Sequence, residues 1–240
     1  MVVRTNRISA VMLAILAAGL GAVVTNAVGQ QARGRPKVAS DQGAEHPRTQ
    51  PGDIDLAKSR IYVLVGKTGL GHEHAIEGKI KSGKIHLGAT RDAGVIEFDM
   101  PRFSADTDEA RKYVGLKGST SPSTRQQVNK NMLGPDVLDV KKYPTATLNI
   151  DSALQKQTKF GAVNYEFKGK FTLHGKSRSL TILAEPSHQG SQWRLAGDFT
   201  ILQSEFGITP YSTGLGTIGV ADSLRIWGDL WVADEKTQTR

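Results

Sequence analysis

The chain has 240 residues, 38% of them hydrophobic, which is enough to bury one sizeable core. The absence of cysteine excludes disulfides, thiolate metal sites, cysteine nucleophiles and a lipidated cysteine anchor. The formal charge of +8 falls to +6 without Arg4 and Arg7, and to +4 without residues 28–52, which hold four basic and two acidic residues. That excess fits a solvated basic surface or contact with anionic lipid head groups, and no dense Lys/Arg stripe interleaved with aromatics suggests nucleic acid.

In chain order, residues 1–27 read as an export signal. Arg4 and Arg7 make a basic start, Ile8 to Val24 is apolar, and Thr25-Asn26-Ala27 offers small residues for cleavage after Ala27. The apolar run also stands near the lower limit of about 17 residues for a bilayer span, so an uncleaved anchor stays open. Residues 28–52 contain almost no large apolar side chain and read as a disordered linker. The folded domain is expected over residues 53–234 and a polar tail over 235–240.

Within that domain the dominant period is two, the signature of half-wet antiparallel strands. "SRIYVLVG" places Ile61, Val63 and Val65 on one face. "GHEHAIEGKIKSGKIHLG" reads as a hairpin with its turn at Lys81-Ser82-Gly83-Lys84. "GVIEFDM" alternates Ile96, Phe98 and Met100 with polar residues. "STRQQVNKNML" breaks the pattern: Val128, Met132 and Leu133 have helical spacing, Ser123 or Thr124 is the N-cap candidate, and Gly134-Pro135 is a stop. This helix is expected to pack on the outside of the sheet. "TATLNID", "YEFKGKFTL", "WRLAGDFTIL" and "SLRIWGDLWVA" resume the alternation, with His174-Gly175-Lys176 as a turn. About eight strands with one or two short helices predict an all-β, eight-stranded antiparallel barrel.

The stretch "LVGKTGLGHEHAIEG" offers two chemical readings. Gly66-Lys67-Thr68 resembles the end of a phosphate loop, but the first glycine of that motif would be Ile61 and no helix follows Thr68. Gly66, Gly69 and Gly71 instead read as punctuation between strands. His72 and His74, two apart, share a strand face and suit a metal, yet no third ligand stands at a recognised spacing. They equally suit backbone hydrogen bonding or a pocket mouth. No Gly-x-Ser-x-Gly elbow is present, and the carboxylate pairs Glu97/Asp99 and Asp106/Asp108 read as solvated faces.

The order of "SRIYVLVG", "GHEHAIEGKIKSGKIHLG", "FSADTDEARKY", "VNKNMLGPDVLDVKKYPTATLNID", "GKFTLHGKSRSLTILAE" and "ILQSEFGITPYS" resembles the YceI-like family over roughly residues 53–232. The resemblance implies a lipocalin-like eight-stranded barrel that is often exported and holds a polyisoprenoid or isoprenoid quinone in its lumen. It transfers no catalytic set and implies no cofactor beyond the bound lipid. This chain departs in its "GHEH" and in the long "ARKYVGLKGSTSPSTRQQ" connection. Given a lumen, the expected wall is Ile96, Phe98, Phe167, Phe171, Phe199 and Ile226, with His72 and His74 at the pocket mouth. The expectation is a periplasmic or secreted lipid carrier, monomer or homodimer, with transient membrane-surface contact. The alternative is a metal-binding protein or metal-dependent hydrolase using His72 and His74.

Overall fold

The computed structural model describes residues 49–234. The leader expected over 1–27, nearly all of the expected linker and the tail over 235–240 lie outside the described residues. The last linker residue already belongs to the fold, since the amide of Gly52 donates to Ala233 and its carbonyl accepts from Ile85.

The strands are β1 (Arg60–Gly69), β2 (His74–Gly78), β3 (Ile80–Ile85), β4 (Gly94–Asp99), β5 (Ser104–Ala105), β6 (Thr145–Gln157), β7 (Val163–Leu173), β8 (Lys176–Gln189), β9 (Gln192–Leu202), β10 (Ser212–Thr213) and β11 (Ile218–Ala233). Two helices, α1 (Asp108–Tyr113) and α2 (Pro122–Leu133), interrupt them between β5 and β6. All strands join one curled antiparallel sheet in the order β3-β4-β6-β7-β8-β9-β11-β1-β2-β5, with β10 added against β11. Because β2, next to the β5 end of this path, runs into β3 at the other end through the single residue Lys79, the chain itself links the two sides of the sheet. At the far end of the seam, Asp53 bridges Lys84 of β3 and Ile54 bridges Val232 of β11.

The all-β antiparallel prediction therefore holds, but the strands number eleven among the described residues rather than eight. Two of the extra strands, β5 and β10, are two-residue pairings, and a third arises because β2 and β3 are halves of one bent stave. The expected hairpin is absent: Lys81-Ser82-Gly83-Lys84 lies inside β3, paired with β4. Gly83 is explained by tertiary contact, since a Cβ there would stand 2.6 Å from the Cδ1 of Ile54, which packs onto the strand. Gly66 likewise sits within β1, at the register shift between Val65 and Lys67, rather than between strands. The turn at His174-Gly175 forms as expected. Both residues have positive φ, 50° and 74°, which is the two-residue hairpin geometry that matches strand twist.

Alternation sorts the sheet into two faces. Ile61 and Val63, Ile96 and Phe98, Leu148 and Ile150, Phe167 and Phe171, and Leu195 and Ile201 are buried inside the curl. On the outer face, Arg225 lies 4.7 Å from the Trp227 ring and Lys58 lies 5.0 Å from the Trp231 ring. Both tryptophans are thus outward, opposite Ile226 and Leu230. Helix α1 packs on β1 and β2 outside the curl, where Ala110 meets Tyr62 and Ala75.

Helix α2 starts earlier than a cap at Ser123 or Thr124 would set it, by two or three residues. Pro122 occupies its first turn, a position where a missing N–H costs nothing, and Ser121 caps it by accepting from the amide of Thr124 at 3.2 Å. It does not pack on the outer face. Val128, Asn131 and Met132 face the interior at one end of the curl.

Candidate functional site

The inward faces enclose a cavity of about 250 Å³. At one end it is sealed by side chains such as Ile85 and Leu195, each 1% exposed. Toward the other end stand α2, the start of β2 and the segment after β9. There Tyr211 both lines the cavity and is 39% exposed, which marks the mouth. The wall is almost wholly aliphatic and aromatic. Phe171 sits at its centre, edge-on to Phe98 at 6.1 Å, Phe199 at 6.2 Å and Phe206 at 5.6 Å. Edge-to-face contacts of this kind fix the orientation of the rings.

All six residues expected on the wall, Ile96, Phe98, Phe167, Phe171, Phe199 and Ile226, line this cavity. They come from β4, β7, β9 and β11, so the single alternation rule brings together residues up to 130 positions apart. Of the two histidines, His74 opens β2 and lines the cavity, whereas His72 is exposed in the connection before it and does not. Among the described residues, no group of three or more His, Cys, Asp or Glu side chains is arranged to hold a metal ion. The phosphate-loop look of Gly66-Lys67-Thr68 dissolves too, because these residues are paired strand in β1.

What the sequence reading missed is the support behind His74. Its Nδ1 lies 2.8 Å from Oδ2 of Asp106, while Asp106 Oδ1 accepts from the Ala75 amide at 3.0 Å and from Arg111 at 3.2 Å. Asp106 is 1% exposed, so its reading as part of a solvated carboxylate pair is corrected; its neighbour Asp108 is the exposed one. Burial works to raise the Asp106 carboxyl, but the hydrogen bond from His74, that from the Ala75 amide, the electrostatic effect of His74 and the hydrogen bond from Arg111 outweigh it and hold it below the ordinary carboxylate range. The only local signal was a carboxylate at a positive φ of 54°, which no sequence displays.

Three more polar side chains line the cavity at its open end: Asn131 on α2, Gln203 and Tyr211. Gln203 is 5% exposed, and its Nε2 donates to the Ala221 carbonyl at 2.8 Å. A second ionic cluster lies on the outer side of β1 and β2. There Glu77 pairs with Lys79, with Arg60 at 3.3 Å, and accepts from Thr107 at 3.1 Å. Burial again pushes this carboxyl up, and Lys79, Thr107 and Arg60 together bring it below its usual value. The cluster ties α1 to the sheet and does not reach the lumen.

Three solved structures are similar to this chain. A polyisoprenoid binding domain from Saccharophagus degradans implicated in plant cell wall breakdown shares 11% identity at a TM-score of 0.50, covering 77% of this chain and 99% of that one. BcnA from Burkholderia cenocepacia shares 22% identity over 75% of this chain and 99% of its own, with a TM-score of 0.49. A Campylobacter jejuni YCEI protein shares 10% over 86% and 100%, with a TM-score of 0.43. Among curated proteins none matches significantly. The YceI-like domain model matches residues 53–230, nearly the whole described sheet, and the chain belongs to the YceI-like family.

Proposed function

We propose that this protein is a binding protein rather than an enzyme, and that it holds a polyisoprenoid or similar elongated amphiphile in its lumen for storage or transport. One observation carries this reading: a cavity of about 250 Å³ that is walled by Ile, Val, Leu, Met and Phe and opens beside Tyr211. Water gains little in such a space, because it needs two to four polar partners and the wall supplies none over most of its length. An apolar chain gains about 0.8 kcal/mol for each methylene withdrawn from water. The Saccharophagus degradans neighbour, a polyisoprenoid binding domain, supports the same ligand class.

The reading includes export, on the strength of the leader pattern ending at Ala27, and delivery to the periplasm or outside the cell. It also includes transient contact with a membrane. Leu70, 77% exposed, and Leu215, fully exposed, stand on loops joined by the hydrogen bond from the Leu70 amide to Thr217, near the Tyr211 mouth.

The test is the lipid that co-purifies with variants. Phe171→Asp or Phe199→Asp puts a charge that must be desolvated on the wall and abolishes bound lipid, whereas Lys168→Asp or Lys170→Asp on the exposed face of β7 leaves it in place. A folded Phe171→Asp protein with its full lipid load would refute the lumen as the binding site.

A further inference from the structure

The polar groups of the cavity gather at its mouth. Gln203 is occupied with Ala221, and Asn131 Oδ1 accepts from Gln127 at 2.8 Å. His74 lines the same end and is the one of these side chains backed by a buried carboxylate. Nδ1 is engaged by Asp106, and no described residue partners Nε2.

Asp106 fixes what Nε2 offers. A carboxylate only accepts, so Nδ1 must carry the hydrogen. The single negative charge of Asp106 is already matched by Arg111 at 3.2 Å. The neutral tautomer with Nδ1–H leaves a bare lone pair at Nε2, the arrangement in which an outer carboxylate orients a histidine for a ligand on its far nitrogen.

We propose that His74 selects the head group of the bound lipid by accepting, through Nε2, a hydrogen bond from a hydroxyl at the end of the chain, with Asp106 as its positioning residue. The inference deepens the lumen reading and rests on it. The ligand class is an apolar chain ending in a free O–H, an alcohol or a hydroquinone, rather than one ending in an ether or an ester. A head group that only accepts offers no hydrogen to Nε2.

The experiment uses the delipidated protein and two probes of one chain length, geranylgeraniol and its methyl ether, which differ in the hydroxyl hydrogen. The wild type binds the alcohol on the order of tenfold more tightly, as expected for one net hydrogen bond that would otherwise leave an acceptor unpaired. His74→Phe and His74→Leu leave Asp106 with Arg111 and the Ala75 amide, so they fold. They bind the ether as the wild type does, and their alcohol-to-ether ratio falls to near one. Asp106→Asn, whose amide also donates and so releases the tautomer, lowers the ratio while His74 is still present. Equal binding of the two probes by the wild type, or a tenfold preference surviving in His74→Phe, overturns the head-group role and leaves the lumen reading intact. Binding of neither probe overturns the lumen reading itself.

Discussion

The lumen can be tested by filling it. Gly228 lies between Ile226 and Leu230 on the inward side of β11 and lines the cavity. A Cβ at this position would meet Leu230 Cγ at 3.8 Å and Ile61 Cδ1 at 3.9 Å, ordinary van der Waals contact, so the backbone tolerates a side chain there. Gly228→Leu would add four carbons to the cavity and displace about as many from the bound chain. At about 0.8 kcal/mol per methylene the loss is about 3 kcal/mol, on the order of a hundredfold in affinity. The fold should not suffer, because glycine inside a strand is itself the weaker choice. Lipid per protein, measured by solvent extraction and mass spectrometry, should drop sharply, while the delipidated variant unfolds at or above the wild-type temperature. A folded Gly228→Leu protein with undiminished lipid would refute the reasoning, since the space it fills would then hold no ligand.

Acid should loosen the site. The Asp106 and Glu77 carboxyls sit below their ordinary values in the folded chain. Their stabilisation is therefore complete above the unfolded value of about 4 and is lost as pH falls through the lower folded values. Urea midpoints should fall on acidification below about pH 4 in the wild type and less steeply in Asp106→Asn; identical acid profiles would contradict the assignment. Replacing both His72 and His74 with Gln should leave bound metal unchanged by elemental analysis, and loss of a stoichiometric metal would revive the metal reading. N-terminal sequencing of the exported protein should begin at Val28, and finding Met1 there would replace the cleaved leader with an anchor.

Strand alternation was the most legible feature of this chain because it is a property of one segment at a time. Ile96 and Phe98, or Phe167 and Phe171, share a face whatever the sheet does, and the curl makes that face the lumen. The features misread depend on partners distant in sequence. Gly83 looks like a turn residue beside Ser82 and Lys84, and it is glycine because Ile54 lies against β3. The apolar stripe of α2 says that Val128 and Met132 are covered but not by which surface, and the lumen end is apolar like the rest of the wall. Asp106 reads as one of two loop carboxylates until His74, Ala75 and Arg111 converge on it, and that convergence is made by the β2–β5 pairing. His74 was legible as a strand-start histidine, and the carboxylate behind it was not.

Whether the cavity holds an elongated apolar molecule is tested most directly by a crystal structure of the protein loaded with geranylgeraniol. Continuous density is expected to run from the hydroxyl beside His74 past Phe171 toward Ile85 and Leu195. A lumen filled only with water, or a chain bound on the outer face beside Trp227 and Trp231, would contradict that expectation.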